Sequence, residues 1–89
     1  MTHRRHVIAH GRVQGVFFRD ATRREAEAAG VGGWVRNRPD GTAEAVFEGD
    51  PDAVERLVAF CRSGPGRARV ERLDVTEEEP RGESGFAVR

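Results

Sequence analysis

Lysine is absent from the sequence, and all fifteen basic residues are arginine. Chemistry that needs a lysine amine, such as Schiff-base formation or phosphate binding by a P-loop lysine, is therefore excluded. Cys61 is the only cysteine, which excludes an internal disulfide and a cysteine-ligated zinc site. The longest unbroken apolar run, Leu57–Cys61, is too short to span a membrane. The N-terminal Met1–His6 lacks the apolar stretch of a signal peptide, so we expect a reducing, cytoplasmic location.

The chain also lacks net charge, because fifteen Arg balance fifteen Asp and Glu. Binders of nucleic acids or membrane surfaces need a basic field, so we expect neither partner. The hydrophobic fraction of 37%, together with eleven glycines, is typical of a globular chain. At 89 residues we expect one domain, residues 1–89, with a small core and little room for a deep cavity. An active site would then be a shallow surface feature built largely from backbone.

The first half of the chain predicts a strand, a helix and a hairpin. Arg5–Val13 carries Val and Ile on both faces, which favours a strand in the middle of a sheet. Phe18–Ala29 is rich in alanine and is followed by Gly30, which indicates a helix and its end. The strands Gly33–Arg38 and Thr42–Glu48 flank a Pro-Asp-Gly turn, and together they predict a hairpin.

The second half predicts another helix and two more strands. Asp50 followed by proline is typical of a helix N-terminus, and an apolar stripe at helical spacing continues to Cys61. Val70–Thr76 and Gly85–Arg89 are the last two strands, and a slip in the apolar alternation of the first predicts a bulge. The order β-α-β-β-α-β plus a short final strand predicts an α+β, ferredoxin-like sandwich, with two helices on one face of an antiparallel sheet. That fold alone does not decide the function.

The turn within Gly11–Arg19 is the first candidate for chemistry, because it joins a strand to a helix. Gly15 would let the backbone approach a ligand closely. The amides that follow it lie at a helix N-terminus, where they lack acceptors and the helix dipole favours an anion. The guanidinium of Arg19 could hold two phosphate oxygens. The alternative is a plain strand-to-helix turn with an exposed arginine beside it.

Asn37 is the second candidate, because asparagine is disfavoured within a strand. Its amide either shapes the following turn or points at a ligand.

Histidine and cysteine offer weaker candidates. His6 and His10 share a strand face, with His3 nearby, but their spacing is too wide for one ion and no acidic residue is adjacent. We therefore expect no metal site. Cys61 lies on the apolar stripe and is expected to be a core thiol. Phe17 could flank a ligand, and packing in the core is the alternative for Phe17 and the expectation for Phe18.

Two segments, Gly11–Arg19 and Gly33–Asn37, closely resemble the two signatures of the acylphosphatase family. The resemblance extends through Gly41-Thr42 and Phe47–Gly49 to Phe86–Arg89, and so covers nearly the whole chain. Members of that family are small ferredoxin-like enzymes that hydrolyse the carboxyl-phosphate bond of acyl phosphates without metal or cofactor. The resemblance implies the same activity here, with a small acyl phosphate as substrate and inorganic phosphate or sulfate as a ligand. We expect the chain to act as a monomer.

The resemblance also implies a role for each site residue. Arg19 is the implied phosphate-binding arginine, and Asn37 is implied to orient the attacking water. The implied phosphate cradle consists of the main-chain amides of four consecutive residues: Gly15, Val16, Phe17 and Phe18. Arg38 departs from the pattern, since some members of the family carry a small hydroxyl residue there.

Two other functions remain open from the sequence. An anion-sensing module would keep the cradle without turning over a substrate. An RNA-binding ferredoxin-like domain is disfavoured, because the central strands lack paired exposed aromatic residues for base stacking.

Overall fold

A computed structural model describes every residue of the chain, Met1–Arg89, as five strands and two helices. The elements in chain order are β1 (His3–Arg12), α1 (Phe18–Ala29), β2 (Gly32–Asn37), β3 (Ala43–Gly49), α2 (Pro51–Ser63), β4 (Arg69–Glu78) and β5 (Phe86–Val88). Every predicted element is present, and most boundaries differ from the prediction by one or two residues. Neither helix has the length and apolar character needed to cross a membrane.

The five strands form one sheet in the order β4-β1-β3-β2-β5. Strand β1 lies inside the sheet, as its apolar faces predicted, and the ferredoxin-like fold is confirmed. The prediction of a wholly antiparallel sheet is wrong in one place, because β5 runs parallel to β2. The chain leaves β4 at one edge, reverses direction once through residues 79–85 and joins the opposite edge, so β5 points the same way as β2.

A β-bulge interrupts the pairing of β1 with β4, where the apolar alternation predicted it. His10 lies opposite Arg72 and Gly11 lies opposite Val70, which leaves Glu71 as the extra residue. Gly11 has φ +126°, and a Cβ atom there would lie 2.1 Å from the carbonyl oxygen of Arg69. Only glycine fits at this close approach of the two strands.

The predicted ends of the helices have the expected geometry. Gly30 follows α1 in the left-handed conformation, with φ 71°. The carboxylate of Asp50 accepts a hydrogen bond from the amide of Asp52 at 3.2 Å, and Pro51 is the first residue of α2. Local signals therefore located these boundaries well.

The core lies between the sheet and the two helices, and it holds the ends of the loop that carries the candidate site. The four stripe residues of α2 are all buried: Val54, Leu57, Val58 and Cys61. Val13, just after β1, and Phe18, the first residue of α1, are also buried. Because both ends of the intervening loop are anchored in the core, its middle residues are held at the surface.

Candidate active site

The loop between β1 and α1 combines buried anchors with unusual backbone. Gly15 and Phe17 both adopt left-handed backbone, with φ of 73° and 61°. Phe17 is the only residue other than glycine in that region, and its side chain is 84% exposed. This exposure decides whether Phe17 packs in the core: Phe18 does so and Phe17 does not. A strained, exposed aromatic residue indicates a functional constraint on this loop.

The main-chain amides of residues 15–20 form an unbroken run of free donors. None of them donates a hydrogen bond to another group of the protein, and no side chain caps the N-terminus of α1. The first amides of a helix carry the positive end of its dipole. Six uncompensated donors in succession therefore make this loop suited to an anion with several oxygens.

Arg19 lies in the first turn of α1, beside these amides. Its Nη1 atom donates a hydrogen bond to the main-chain oxygen of Arg89, 3.1 Å away. No Asp or Glu side chain forms an ion pair with Arg19, whereas Arg23, one helical turn later, pairs with Asp20 at 2.8 Å and with Glu27 at 3.2 Å. Arg19 thus places beside the donor run a positive charge that no acidic side chain offsets.

Asn37 is the last residue of β2 and approaches the same region from the sheet. Its side chain makes no hydrogen bond in the protein, and the Oδ1 atom is buried without a partner. A buried, unsatisfied amide oxygen is unfavourable unless a water molecule or a ligand donates to it. The prediction that this side chain only shapes the following turn is not supported, because Asp40 and Gly41 form the turn's own bonds.

These elements meet around an open cleft of about 500 Å³. The cleft is lined by nine residues from the loop, α1, the end of β2 and β5: Val13, Gly15, Phe17, Phe18, Arg19, Asp20, Arg23, Asn37 and Val88. Of the residues predicted for the site, only Val16 does not line the cleft, because its side chain packs against the core. The amide of Val16 still belongs to the run of free donors.

Comparison with known proteins identifies the family of this chain. The sequence profile of the acylphosphatase family matches residues 5–88. The chain belongs to the acylphosphatase family. It is 60% identical over 90 residues to the acylphosphatase of Rubrobacter xylanophilus, covering 99% of this chain and 81% of that protein. It is 56% identical over 85 residues to the acylphosphatase of Thermococcus kodakarensis, covering 96% and 93% respectively.

Solved structures of acylphosphatases are similar throughout. The crystal structure of the acylphosphatase from Bacillus subtilis superposes with a TM-score of 0.93 at 34% identity, over 100% of this chain and 99% of that one. The Coxiella burnetii acylphosphatase also gives 0.93, at 36% identity over 99% of this chain and 93% of that one. The enzyme class predicted from the two signatures, a hydrolase of this family, is confirmed.

Four residues of the cleft were not predicted from the sequence: Val13, Asp20, Arg23 and Val88. Arg23 had a usable signal, since residues four apart lie on one face of a helix and Arg19 was already a candidate. Val88 had none, because its place depends on the parallel pairing of β5 with β2. The pKa of Asp20 is lowered, chiefly by the hydrogen bond from Arg23, so this carboxylate is a weak base.

The histidines lie outside the cleft. The expectation that they lack acidic partners is wrong, because strand pairing supplies them: His6 contacts Glu44 at 2.6 Å and His10 contacts Asp74 at 2.8 Å. The two histidines therefore contact different carboxylates. Cys61 is buried, as expected of a core thiol, and burial raises its pKa to about 12 despite an opposing contact with Thr22.

A buried ion-pair network supports the strand that borders the cleft. Arg4 is only 2% exposed, and its guanidinium donates to three carboxylates: Glu48 at 2.9 Å, Glu78 at 2.9 Å and Glu83 at 3.0 Å. Glu48, 4% exposed, also accepts hydrogen bonds from the amides of residues 81–83 at 2.7 to 2.9 Å. Burial alone would raise the pKa of Glu48, but the amide and guanidinium donors outweigh it and lower the pKa to about 2.

The network fixes residues 79–85, which lead directly into β5. Gly33 donates to the carbonyl oxygen of Gly85 at 2.9 Å, and Arg89 donates to that of Val35 at 2.8 Å. These bonds bring Val88 and the main-chain oxygen of Arg89 to the cleft. Sequence reasoning missed the network, because its members are far apart along the chain.

Proposed function

We propose that this protein hydrolyses the carboxyl-phosphate bond of small acyl phosphates and releases a carboxylate and orthophosphate. Its family and fold support this activity at the level of the enzyme class. The observation that carries the proposal is the run of six free amides beside the guanidinium of Arg19, with which no Asp or Glu side chain pairs. Three equatorial phosphoryl oxygens need several donors and positive charge, and this loop offers both.

In the proposed reaction the phosphoryl group lies in the cradle formed by Gly15, Val16, Phe17 and Phe18, with Arg19 beside it. Phosphoryl transfer passes through a loose transition state whose charge is spread over the equatorial oxygens. Fixed amides and a guanidinium stabilise that charge without reorganising during the reaction. The acyl oxygen leaves with the bonding electron pair as a carboxylate, which is already a stable anion, so no strong general acid is needed.

Asn37 is proposed to hold the attacking water in line with the departing carboxylate, which is an effect of proximity. Its buried Oδ1 atom can accept a hydrogen bond from that water. The water oxygen bonds to phosphorus, and its proton passes to a phosphoryl oxygen of the substrate. Asp20 is the carboxylate that lines the cleft, and its bonds to Arg23 and Arg24 make it a poor acceptor of that proton.

The decisive experiment is hydrolysis of benzoyl phosphate, followed by absorbance with and without a chelator. We expect turnover that the chelator does not change, and competitive inhibition by inorganic phosphate or sulfate. Arg19→Gln should lower kcat/KM by at least about a hundredfold, because it removes the charge from the cradle. Arg24→Gln is the matched control on the same helix, since Arg24 is mostly exposed and pairs only with Asp20 outside the cradle. Full activity of Arg19→Gln would contradict the assignment.

The same assay separates the enzyme from an anion-binding module. Such a module would bind inorganic phosphate through the same amides and leave benzoyl phosphate intact. It also remains part of the proposal that the chain acts as a monomer in the cytoplasm, without metal or cofactor, and without nucleic-acid or membrane partners.

A further inference from the structure

Gln14 connects the cradle loop to the hairpin that carries Asn37. Its Nε2 atom donates two hydrogen bonds, to the carbonyl oxygen of Arg38 at 2.7 Å and to that of Thr42 at 3.0 Å. The side chain is half-buried, and it reaches across 24 residues of sequence to Arg38. Gln14 is thus a single side chain bound to both ends of one turn.

The two carbonyl groups that Gln14 contacts also close the turn between β2 and β3. The amide of Arg38 donates to the oxygen of Thr42 at 2.8 Å, and the amide of Gly41 donates to the oxygen of Arg38 at 3.1 Å. The turn therefore keeps its own main-chain bonds without Gln14. What Gln14 adds is a fixed position of the turn relative to the loop.

The hydrogen bonds of Gln14 matter for the site because Gln14 and Arg38 are each next to a site residue in the sequence. Gln14 directly precedes Gly15, the first residue of the proposed cradle, and Arg38 directly follows Asn37. The Asn37 side chain makes no hydrogen bond within the protein. Its position relative to the cradle is therefore set by the backbone at the end of β2, which Gln14 holds.

We propose that Gln14 is a positioning residue, which sets the distance between the phosphate cradle and the amide of Asn37. This inference rests on the proposed function. Gln14 acts on the water-orienting step and not on phosphate binding, because both hydrogen bonds of its side chain go to the turn after Asn37 and none goes to Arg19 or to the cradle.

The test is a double-mutant cycle on benzoyl phosphate hydrolysis with Gln14→Ala, Asn37→Ala and the double variant. Misplacement of a reacting group by about 1 Å can lower a rate by about a hundredfold, so we expect Gln14→Ala to lower kcat about ten- to a hundredfold. The inhibition constant of inorganic phosphate should change less than about threefold. In the Asn37→Ala background, Gln14→Ala should lower the rate no further, because the group that it positions is gone.

Gln14→Glu is the second variant, because it keeps the shape of the side chain but cannot donate to a carbonyl oxygen. It should lower kcat as much as Gln14→Ala does. Arg36→Gln is the control on β2, since Arg36 lies on the opposite strand face from Asn37 and contacts Glu44. It should leave kcat unchanged.

The outcomes separate this inference from the proposed function. If Asn37→Ala is fully active, the proposed role of Asn37 is wrong. If Asn37→Ala is slow while either Gln14 variant is as fast as the wild type, only the positioning role is wrong. Gln14 would also have a merely structural role if its removal lowered the rate by the same factor with and without Asn37.

Discussion

Arg19 and Arg23 lie one helical turn apart in α1, but they differ in whether acidic side chains pair with them. Arg23 is neutralised by Asp20 and Glu27, and its pKa is raised mainly by the hydrogen bond to Asp20. Arg19 has no Asp or Glu partner and donates to the main-chain oxygen of Arg89. A cradle of neutral amides gains most from a cation that no acidic side chain offsets, so we propose that Arg19 binds the phosphate.

The left-handed backbone of Phe17 predicts how two substitutions at this residue differ in stability. A side chain in left-handed backbone costs roughly 1 kcal/mol, and the exposed ring contributes little packing in return. We therefore expect Phe17→Gly to be more stable than Phe17→Ala by about 1 kcal/mol in urea unfolding. Ala59→Gly, in the exposed middle of α2, is the control and should lose about 1 kcal/mol. Equal stability of the two Phe17 variants would show that the backbone is not strained.

At the scale of elements, short-range signals predicted most of the structure. The turn at Pro39–Gly41, the cap at Asp50 and the glycine after α1 each act through neighbouring residues, so each was readable from the sequence. The parallel pairing of β5, by contrast, depends on contacts of Glu48 with the connecting segment. The cradle loop and Asn37 were candidates from their own residues, and the family resemblance implied their roles. Val88 was missed for want of any local signal.

The close approach of Gly33 to β3 predicts that a side chain at this position destabilises the sheet. It has φ +136°, and a Cβ atom there would lie 1.8 Å from the carbonyl oxygen of Val46 in β3. Gly33→Ala should therefore lower the free energy of unfolding by more than about 3 kcal/mol, measured by urea titration. Gly41→Ala is the comparison, because φ is also positive there but no atom lies within 4 Å. It should lose only about 1 to 2 kcal/mol, and similar losses in both would contradict the steric explanation.

For the molecule as a whole, the pair Arg4–Glu48 joins β1, β3, β4 and the segment before β5. A buried pair contributes little compared with apolar residues, but removal of one partner leaves an uncompensated group. Loss of either partner should therefore destabilise the sheet and, through β5, one wall of the cleft.

The lowered pKa of Glu48 sets the pH range in which this contribution appears. The pKa falls from an ordinary 4.5 to about 2, so the stabilisation is fully present above about pH 4.5 and is lost as the pH falls towards 2. Glu48→Gln should lower the free energy of unfolding by about 3 kcal/mol at pH 7, and the difference from the wild type should shrink below pH 4.5. Glu55→Gln, which breaks an exposed pair with Arg5, should cost less than about 1 kcal/mol. A difference for Glu48→Gln that stays constant down to pH 2 would exclude this role.

The central claim is that main-chain amides and one guanidinium form the phosphate site, and a titration with inorganic phosphate followed by amide NMR shifts tests it most directly. We predict that the largest shifts occur at the amides of residues 15–20. The shifts should persist in Arg24→Gln. In Arg19→Gln the apparent affinity for phosphate, taken from the same titration, should fall at least about tenfold. Unchanged amides in this loop, with shifts elsewhere or none at all, would contradict the account.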